Sequence, residues 1–167
     1  MAAGLILTLA IIVSDSAAVS FTRVRSTENF MIALVREGYD RSASFRELVD
    51  TLQRSNLIVV VQPGVCAGGR IRSCVVSVAG SLRERQIRIK IDPHTSHDWL
   101  IATIAHELQH AVEIAERVDV TDGPRALELY RTIAIGRCRE GLSEECETAR
   151  ALAVEKRTLE ELSQANR

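Results

Sequence analysis

The residues best suited to chemistry lie in the segment HELQH, where His106 and His110 are four positions apart and Glu107 follows the first of them. On an α-helix, residues i and i+4 share a face, about 40° apart around the axis, so both imidazoles can reach one ion. Glu107 lies about 100° from His106 and borders that face. Two neutral imidazoles can hold Zn²⁺, which lowers the pKa of a bound water, and the adjacent carboxylate can take the proton. The spacing therefore predicts a hydrolytic zinc site, with His106 and His110 as ligands and Glu107 as the catalytic base.

The helix that carries this motif is predicted to be buried. Its other residues are apolar over most of the circumference: Ile101, Ala102, Ile104, Ala105, Leu108, Ala111 and Val112. Buried imidazoles and carboxylates need partners, and one metal ion supplies a partner for both rings. The alternative is a pair of core histidines bonded to backbone carbonyls, with Glu107 at the surface.

The motif also carries a family resemblance. The segment HELQHAV resembles the active-site helix of the zincin metallopeptidases, and the preceding RQIRIKI resembles the sheet that flanks that helix. The stretch is also similar to small uncharacterised bacterial proteins that contain HELQHA. The zincin resemblance implies that His106 and His110 are zinc ligands, that Glu107 is the general base, and that the activity is peptide hydrolysis.

The third ligand separates the zincin branches. In the metzincin pattern, a Gly and a ligand His follow the second His at three and six positions, where this chain has Glu113 and Glu116. The gluzincin pattern takes a Glu from a later helix, and this chain offers EECETARA. Within that segment, Glu147 shares a predicted helical stripe with Ala151 and Val154, so it is the candidate third ligand. Glu113 and Glu116 are kept as partners of the histidines or as alternative ligands.

Four cysteines form two local pairs, in CAGGRIRSC and CREGLSEEC. An even count in two short loops predicts the disulfides Cys66–Cys74 and Cys138–Cys146, formed in an oxidising compartment. The second disulfide would fix the chain immediately before Glu147. The pair spacing is too wide for a structural zinc site. Four free thiols in a reducing cytoplasm are the alternative.

The first twenty residues resemble an export signal in their pattern. An apolar run from Ala2 to Val13 is followed by small residues, and the run is shorter than the roughly 20 residues of a membrane-spanning helix. We therefore expect a signal peptide at residues 1–20, an exported protein and no stable membrane span. No Lys or Arg precedes the apolar run, so a cytoplasmic domain that buries this segment is the alternative.

The rest of the chain, residues 21–167, is predicted to form one domain. Its length suits a single core, and the formal net charge of the whole chain, -1 with both signs interspersed, argues against nucleic-acid binding. Runs of β-branched residues predict three strands, in NLIVVVQPG, CVVSVAG and RQIRIKID. Helical patterns precede and follow them, and Ser44, Thr95 and Ser143 are expected to cap three of the helices. The predicted fold is α+β, with a small three-stranded sheet packed on the central helix.

Together these features predict a small exported zinc-dependent hydrolase, acting as a metallopeptidase on a peptide or protein substrate. The alternative from another class is a non-catalytic zincin-like domain, in which a structural metal stabilises a binding module.

Overall fold

The computed structural model describes residues 20–69, 71–136, 138 and 146–165. They form β1 (Val24–Arg25), α1 (Asn29–Arg41), α2 (Ala43–Gln53), β2 (Leu57–Pro63), β3 (Ser73–Gly80), β4 (Arg85–Ile91), α3 (His97–Ala115), α4 (Gly123–Ile133) and α5 (Ala149–Ala165). The α+β class is confirmed. The predicted signal peptide, as far as residue 19, and the predicted cap Ser143 lie outside these ranges. No helix within the ranges has the length and hydropathy needed to cross a membrane.

The sheet has four strands in the order β1-β2-β4-β3, one more than the sequence predicts. β1 runs parallel to β2, and β2 runs parallel to β4, whereas β3 is antiparallel to β4. The additional strand is only two residues long, with Val24 opposite Val59 and Arg25 opposite Val60. A pair of residues is too short to show the alternation by which a strand is recognised, so β1 escapes prediction.

The core lies between one face of the sheet and the helices, and most of α3 is buried in it. On β4, Ile87, Ile89 and Ile91 are fully buried while Arg88 is exposed, which confirms the predicted alternation. Every residue of α3 from Leu100 to Ile114 is buried, because the helix packs against the sheet and against α1, α2 and α5. The motif helix is therefore held on all sides by the fold.

The buried side chain of Arg85 holds the end of α3. Arg85 begins β4 and is only 1% exposed. Its guanidinium donates to the backbone carbonyls of Ile114, Ala115, Arg117 and Val120, and to Oδ1 of Asn56. A helix C-terminus presents unpaired carbonyls and a partial negative charge, and a cation there satisfies both. This contact sets the position of α3 relative to the sheet.

Two helix starts differ from the predicted ones. The N-cap of α2 is Ser42, whose hydroxyl accepts from the Phe45 backbone N–H at 3.0 Å, rather than Ser44. The Ser44 N–H and hydroxyl instead donate to the Glu161 carboxylate of α5, at 3.0 and 2.8 Å. At α3 the N-cap position is Ser96, one residue after the predicted Thr95. The local cap of α2 is therefore Ser42, and Ser44 makes a tertiary contact with Glu161 instead.

Both predicted disulfides are present. Cys66 is bonded to Cys74 and Cys138 to Cys146. The first closes the turn between β2 and β3, and the second joins the chain after α4 to the chain before α5. Two disulfides are consistent with an extracellular location.

Candidate metal centre

Two imidazoles face one another on α3. His106 and His110 are both buried, one helical turn apart, with ring centroids 4.9 Å from each other. Glu107, between them in the chain, is only 3% exposed, so the alternative that placed it at the surface is wrong. Both histidines and Glu107 therefore lie within the protein interior.

The Glu147 carboxylate joins the two histidines from another part of the chain. Its Oε2 lies 3.2 Å from His106 Nε2, and one ligand atom from each of Glu147, His106 and His110 lies within 4.8 Å of the others. Two ligands of one tetrahedral Zn²⁺ ion are separated by roughly 3.4 Å when each bond is about 2.1 Å long. The three side chains could therefore hold a metal ion.

Glu147 does not lie on a helix, contrary to the prediction. α5 begins at Ala149, so the stripe expected for Glu147, Ala151 and Val154 does not exist. The segment before α5 is extended instead, with Ala134 and Thr148 forming a β-bridge and the Ile135 N–H donating to the Glu147 carbonyl at 2.8 Å. The Glu147 side chain is 51% exposed, so its carboxylate, the third candidate ligand, contacts the buried His106 from the solvent side.

A carboxylate also occupies the second nitrogen of each histidine. His106 Nδ1 lies 3.1 Å from Glu155 Oε2, and His110 Nδ1 lies 3.0 Å from Glu113 Oε2. In metal sites, a ligating histidine commonly uses its other ring nitrogen in this way, which fixes the ring orientation and the tautomer. The arrangement leaves Nε2 as the candidate ligand atom of each ring, and in His106 this atom is paired with Glu147, the third candidate ligand.

Further contacts hold the His110 side of the site. The Thr148 hydroxyl donates to Glu113 Oε1 at 2.7 Å and accepts from the Ala151 N–H at 3.1 Å, so Thr148 caps α5 and supports Glu113. The buried Tyr130 hydroxyl donates to the His110 carbonyl at 3.1 Å, and the Tyr130 ring meets the His110 imidazole edge-on. Because Thr148 follows Glu147 directly, the same cap also places the third candidate ligand.

Thr148 and Glu155 are site residues that the sequence does not predict. Glu155 lies four residues after Ala151 and three before Thr158, both fully buried on α5. Its place at the margin of this buried stripe is the signal by which it could have been found. Thr148 could have been found as a possible N-cap residue that directly follows a candidate ligand. The helix was predicted to begin earlier, with Ser143 as its cap, so Thr148 was expected inside the helix.

Burial and the neighbouring carboxylates have opposite effects on the pKa of His106. Burial tends to lower the pKa of His106, but hydrogen bonds with Glu147 and Glu155 outweigh that effect and raise the pKa to about 10. The contact with His106 also holds the pKa of Glu147 below its usual value. An excess of carboxylates around the imidazoles makes this position favourable for a cation.

Glu107 has an unsatisfied oxygen. Its Oε2 is buried and has no hydrogen-bond partner among the described residues, and its charge adds to the factors that raise the pKa of His106. A buried carboxylate oxygen without a donor is costly unless the site supplies one. A water held at the metal position would be such a donor.

Other candidate residues lie elsewhere. Glu116 is paired with the Arg150 guanidinium through two contacts of 2.7 and 2.8 Å, and both side chains are about half exposed. The structure therefore does not bring Glu116 to the histidines, whereas it places Glu113 on His110 Nδ1. Of the two acids kept as partners or alternative ligands, only Glu113 takes part in the site.

The site thus combines two imidazoles, a carboxylate as the third candidate ligand, and a buried candidate base. No family model, no curated protein and no solved structure matches the chain.

Proposed function

We propose that this chain is a zinc-dependent hydrolase that cleaves peptide bonds, with the ion held by His106, His110 and Glu147. The observation that carries the proposal is the paired arrangement of the histidines. Each has a carboxylate at Nδ1, which leaves Nε2 as the ligand atom of each ring. An ion bound between these atoms and Glu147 would take the place of the present contact between His106 Nε2 and Glu147 Oε2. A His₂Glu set leaves a coordination position open, as catalytic rather than structural zinc sites do.

Glu107 is the proposed general base. A zinc ion at this site would lower the pKa of a bound water. The Glu107 carboxylate, buried beside His106 with an unpaired oxygen, would accept that proton and pass it to the leaving amine. Its neighbours on α3 are all buried, so the helix fixes its position. Its burial therefore supports the base role that the resemblance to zincins implies.

The resemblance to the gluzincin branch gains support from the source of Glu147, which comes from a segment well after the motif helix.

Export is the second part of the proposal. The disulfides border the candidate site, since Cys74 follows Ser73, which lines a cavity together with His106 and Glu147, and Cys146 directly precedes Glu147. A site of this kind would be assembled most completely in an oxidising compartment.

The test combines metal content with turnover. We expect elemental analysis to find about one zinc per parent chain, and strong loss of zinc in His106→Ala and Glu147→Ala. His94→Ala is the matched control, because His94 is exposed and paired with Asp92 away from the site. Glu107→Gln should retain zinc but lower peptide hydrolysis by about 10²- to 10⁴-fold.

Two results would contradict the proposal. A parent chain that binds no zinc after reconstitution would exclude the metal site. Zinc bound with the expected ligands, but equal hydrolysis of a peptide library by parent and Glu107→Gln, would favour a binding module with a structural metal.

A further inference from the structure

A cavity of about 260 Å³ lies beside the candidate metal centre. Its lining includes the candidate ligands His106 and Glu147, together with the apolar side chains of Ile71 and Leu152. The volume is below the range of roughly 300–1,000 Å³ that is typical of sites for whole small molecules. It suits a single residue of a longer chain bound across the metal centre.

Arg72 projects into this cavity from a fixed position. Its guanidinium lies 4.8 Å from the centroid of the Trp99 ring, and its Nη2 lies 3.5 Å from Glu155 Oε1. Its carbonyl accepts from the Asp92 N–H at 2.7 Å, and it belongs to the turn closed by the Cys66–Cys74 disulfide. The backbone and the side chain of Arg72 therefore both have contacts that position them, which lowers the cost of ordering Arg72 when a ligand binds.

Among the described residues, most of the N–H donors of the Arg72 guanidinium have no hydrogen-bond acceptor. A guanidinium has five N–H donors in a planar fork, and the single long contact with Glu155 engages one of its nitrogens. The side chain is 54% exposed. A ligand can therefore reach the remaining donors without breaking the contacts that position Arg72.

Arg72 is the cationic group of the cavity wall. Among the described lining residues it is the only arginine or lysine, and Glu147 and Glu155 are the only acids. A bound divalent ion would engage Glu147, while Glu155 would keep its contacts with His106 Nδ1 and Arg72. The remaining N–H groups of Arg72 would then be the cationic donors that this wall offers to an incoming anion.

We propose that Arg72 binds a carboxylate of the peptide substrate beside the cleaved bond, supplied by an acidic side chain or by the C-terminal carboxylate. Paired N–H donors of one guanidinium match the two oxygens of a carboxylate. This inference rests on the proposed peptide hydrolysis, and it assigns the substrate preference to one residue.

Binding without turnover tests the inference directly. Short peptides are titrated into zinc-loaded Glu107→Gln in matched pairs, Glu against Gln and a free against an amidated C-terminus. Trp99 is the only tryptophan in the chain and touches Arg72, so its fluorescence reports the binding. We expect the carboxylate member of one pair to bind about tenfold more tightly, as for one charge-assisted contact. The pair that shows the preference identifies the source of the carboxylate.

Substitutions assign the preference to Arg72. Adding Arg72→Gln should abolish it, and adding Arg72→Lys should retain part of it, because the charge remains while the paired donors are lost. Arg88→Gln, on the exposed face of β4, is the matched control and should leave it unchanged. Zinc content is measured in each variant so that all are compared at equal loading.

The outcomes separate this inference from the proposed function. Equal binding within both pairs, or a preference that survives Arg72→Gln, would overturn the role of Arg72. A preference that depends on Arg72 in a parent protein that hydrolyses no peptide would support the carboxylate site and would contradict the hydrolase.

Discussion

At the scale of single residues, the carboxylates at Nδ1 of the two histidines say as much about the candidate metal centre as the candidate ligands do. Glu155 and Glu113 each occupy Nδ1 of one imidazole, and these contacts come from α5 in one case and from the same helix in the other. The orientation of His106 therefore depends on how α5 packs on α3. That dependence can be tested without touching a ligand.

We predict that Glu155→Gln will weaken zinc binding by about 10- to 100-fold, because an amide is a weaker acceptor for the His106 ring N–H than a carboxylate. The measurement is the zinc dissociation constant, determined by competition with a chromophoric chelator. Glu160→Gln on the exposed side of α5 is the matched control and should leave the constant unchanged. Unaltered zinc affinity in Glu155→Gln would show that His106 does not need this contact.

The sequence predicts the motif residues better than their partners. His106, Glu107 and His110 follow from spacing on one helix, which is local information. Glu147 was selected for a helical stripe that the structure does not contain, and the extended segment and the Thr148 cap bring it to His106 instead. Glu155 was not selected, because its role depends on the packing of two helices that are distant in sequence, which local periodicity does not encode.

At the scale of elements, Arg85 fixes the end of α3 against β4. We predict that Arg85→Met will lower the free energy of unfolding by about 3–5 kcal/mol, because several buried carbonyls lose their only charged donor. Urea denaturation gives this value. The matched control is Arg88→Met on the same strand, which is exposed and should change stability by about 0.5 kcal/mol or less. A comparable loss in both variants would contradict a special role for Arg85.

Glu161 links α5 to the start of α2. Burial tends to raise the pKa of its carboxyl, but hydrogen bonds from Ser42 and Ser44 lower it below the usual value. A pKa that is lowered on folding contributes stability above the unfolded-state value of about 4.3, and this contribution is lost as the pH falls through the folded-state pKa. Glu161→Gln should therefore cost about 1–2 kcal/mol at neutral pH and less below pH of about 4.

Urea denaturation of the parent chain and Glu161→Gln across this pH range tests the prediction, with Glu160→Gln as the exposed control. A difference in unfolding free energy that stays constant with pH would show that the charge of Glu161 does not provide the stability.

Most of the elements were predictable, but their arrangement was not. The strands β2, β3 and β4 and the central helix follow from local hydrophobic patterns. The parallel pairing of β2 with β4, two strands apart in sequence, depends on long-range contacts, and β1 is too short to show a pattern. The start of α2 was misplaced because the carboxylate that binds Ser44 comes from Glu161, far along the chain.

At the scale of the whole molecule, the two disulfides hold different parts of the site. Cys138–Cys146 ends one residue before Glu147, whereas Cys66–Cys74 closes the turn that contains Arg72. We predict that Cys138→Ser with Cys146→Ser will weaken zinc binding by about tenfold or more, because the ligand segment must then be ordered when the ion binds. Removal of either disulfide should also lower the free energy of unfolding by roughly 2–3 kcal/mol, because the unfolded chain gains conformational entropy when the short loop is no longer closed.

Cys66→Ser with Cys74→Ser is the matched control, since it removes a disulfide with the same sequence separation but leaves the Glu147 segment tethered. We expect this control to lose a similar amount of stability in urea while retaining zinc affinity within a few-fold of the parent. Equal loss of zinc affinity in the two double variants would mean that the disulfides act through global stability. A loss confined to Cys138→Ser with Cys146→Ser would show that this bond holds the third ligand in place.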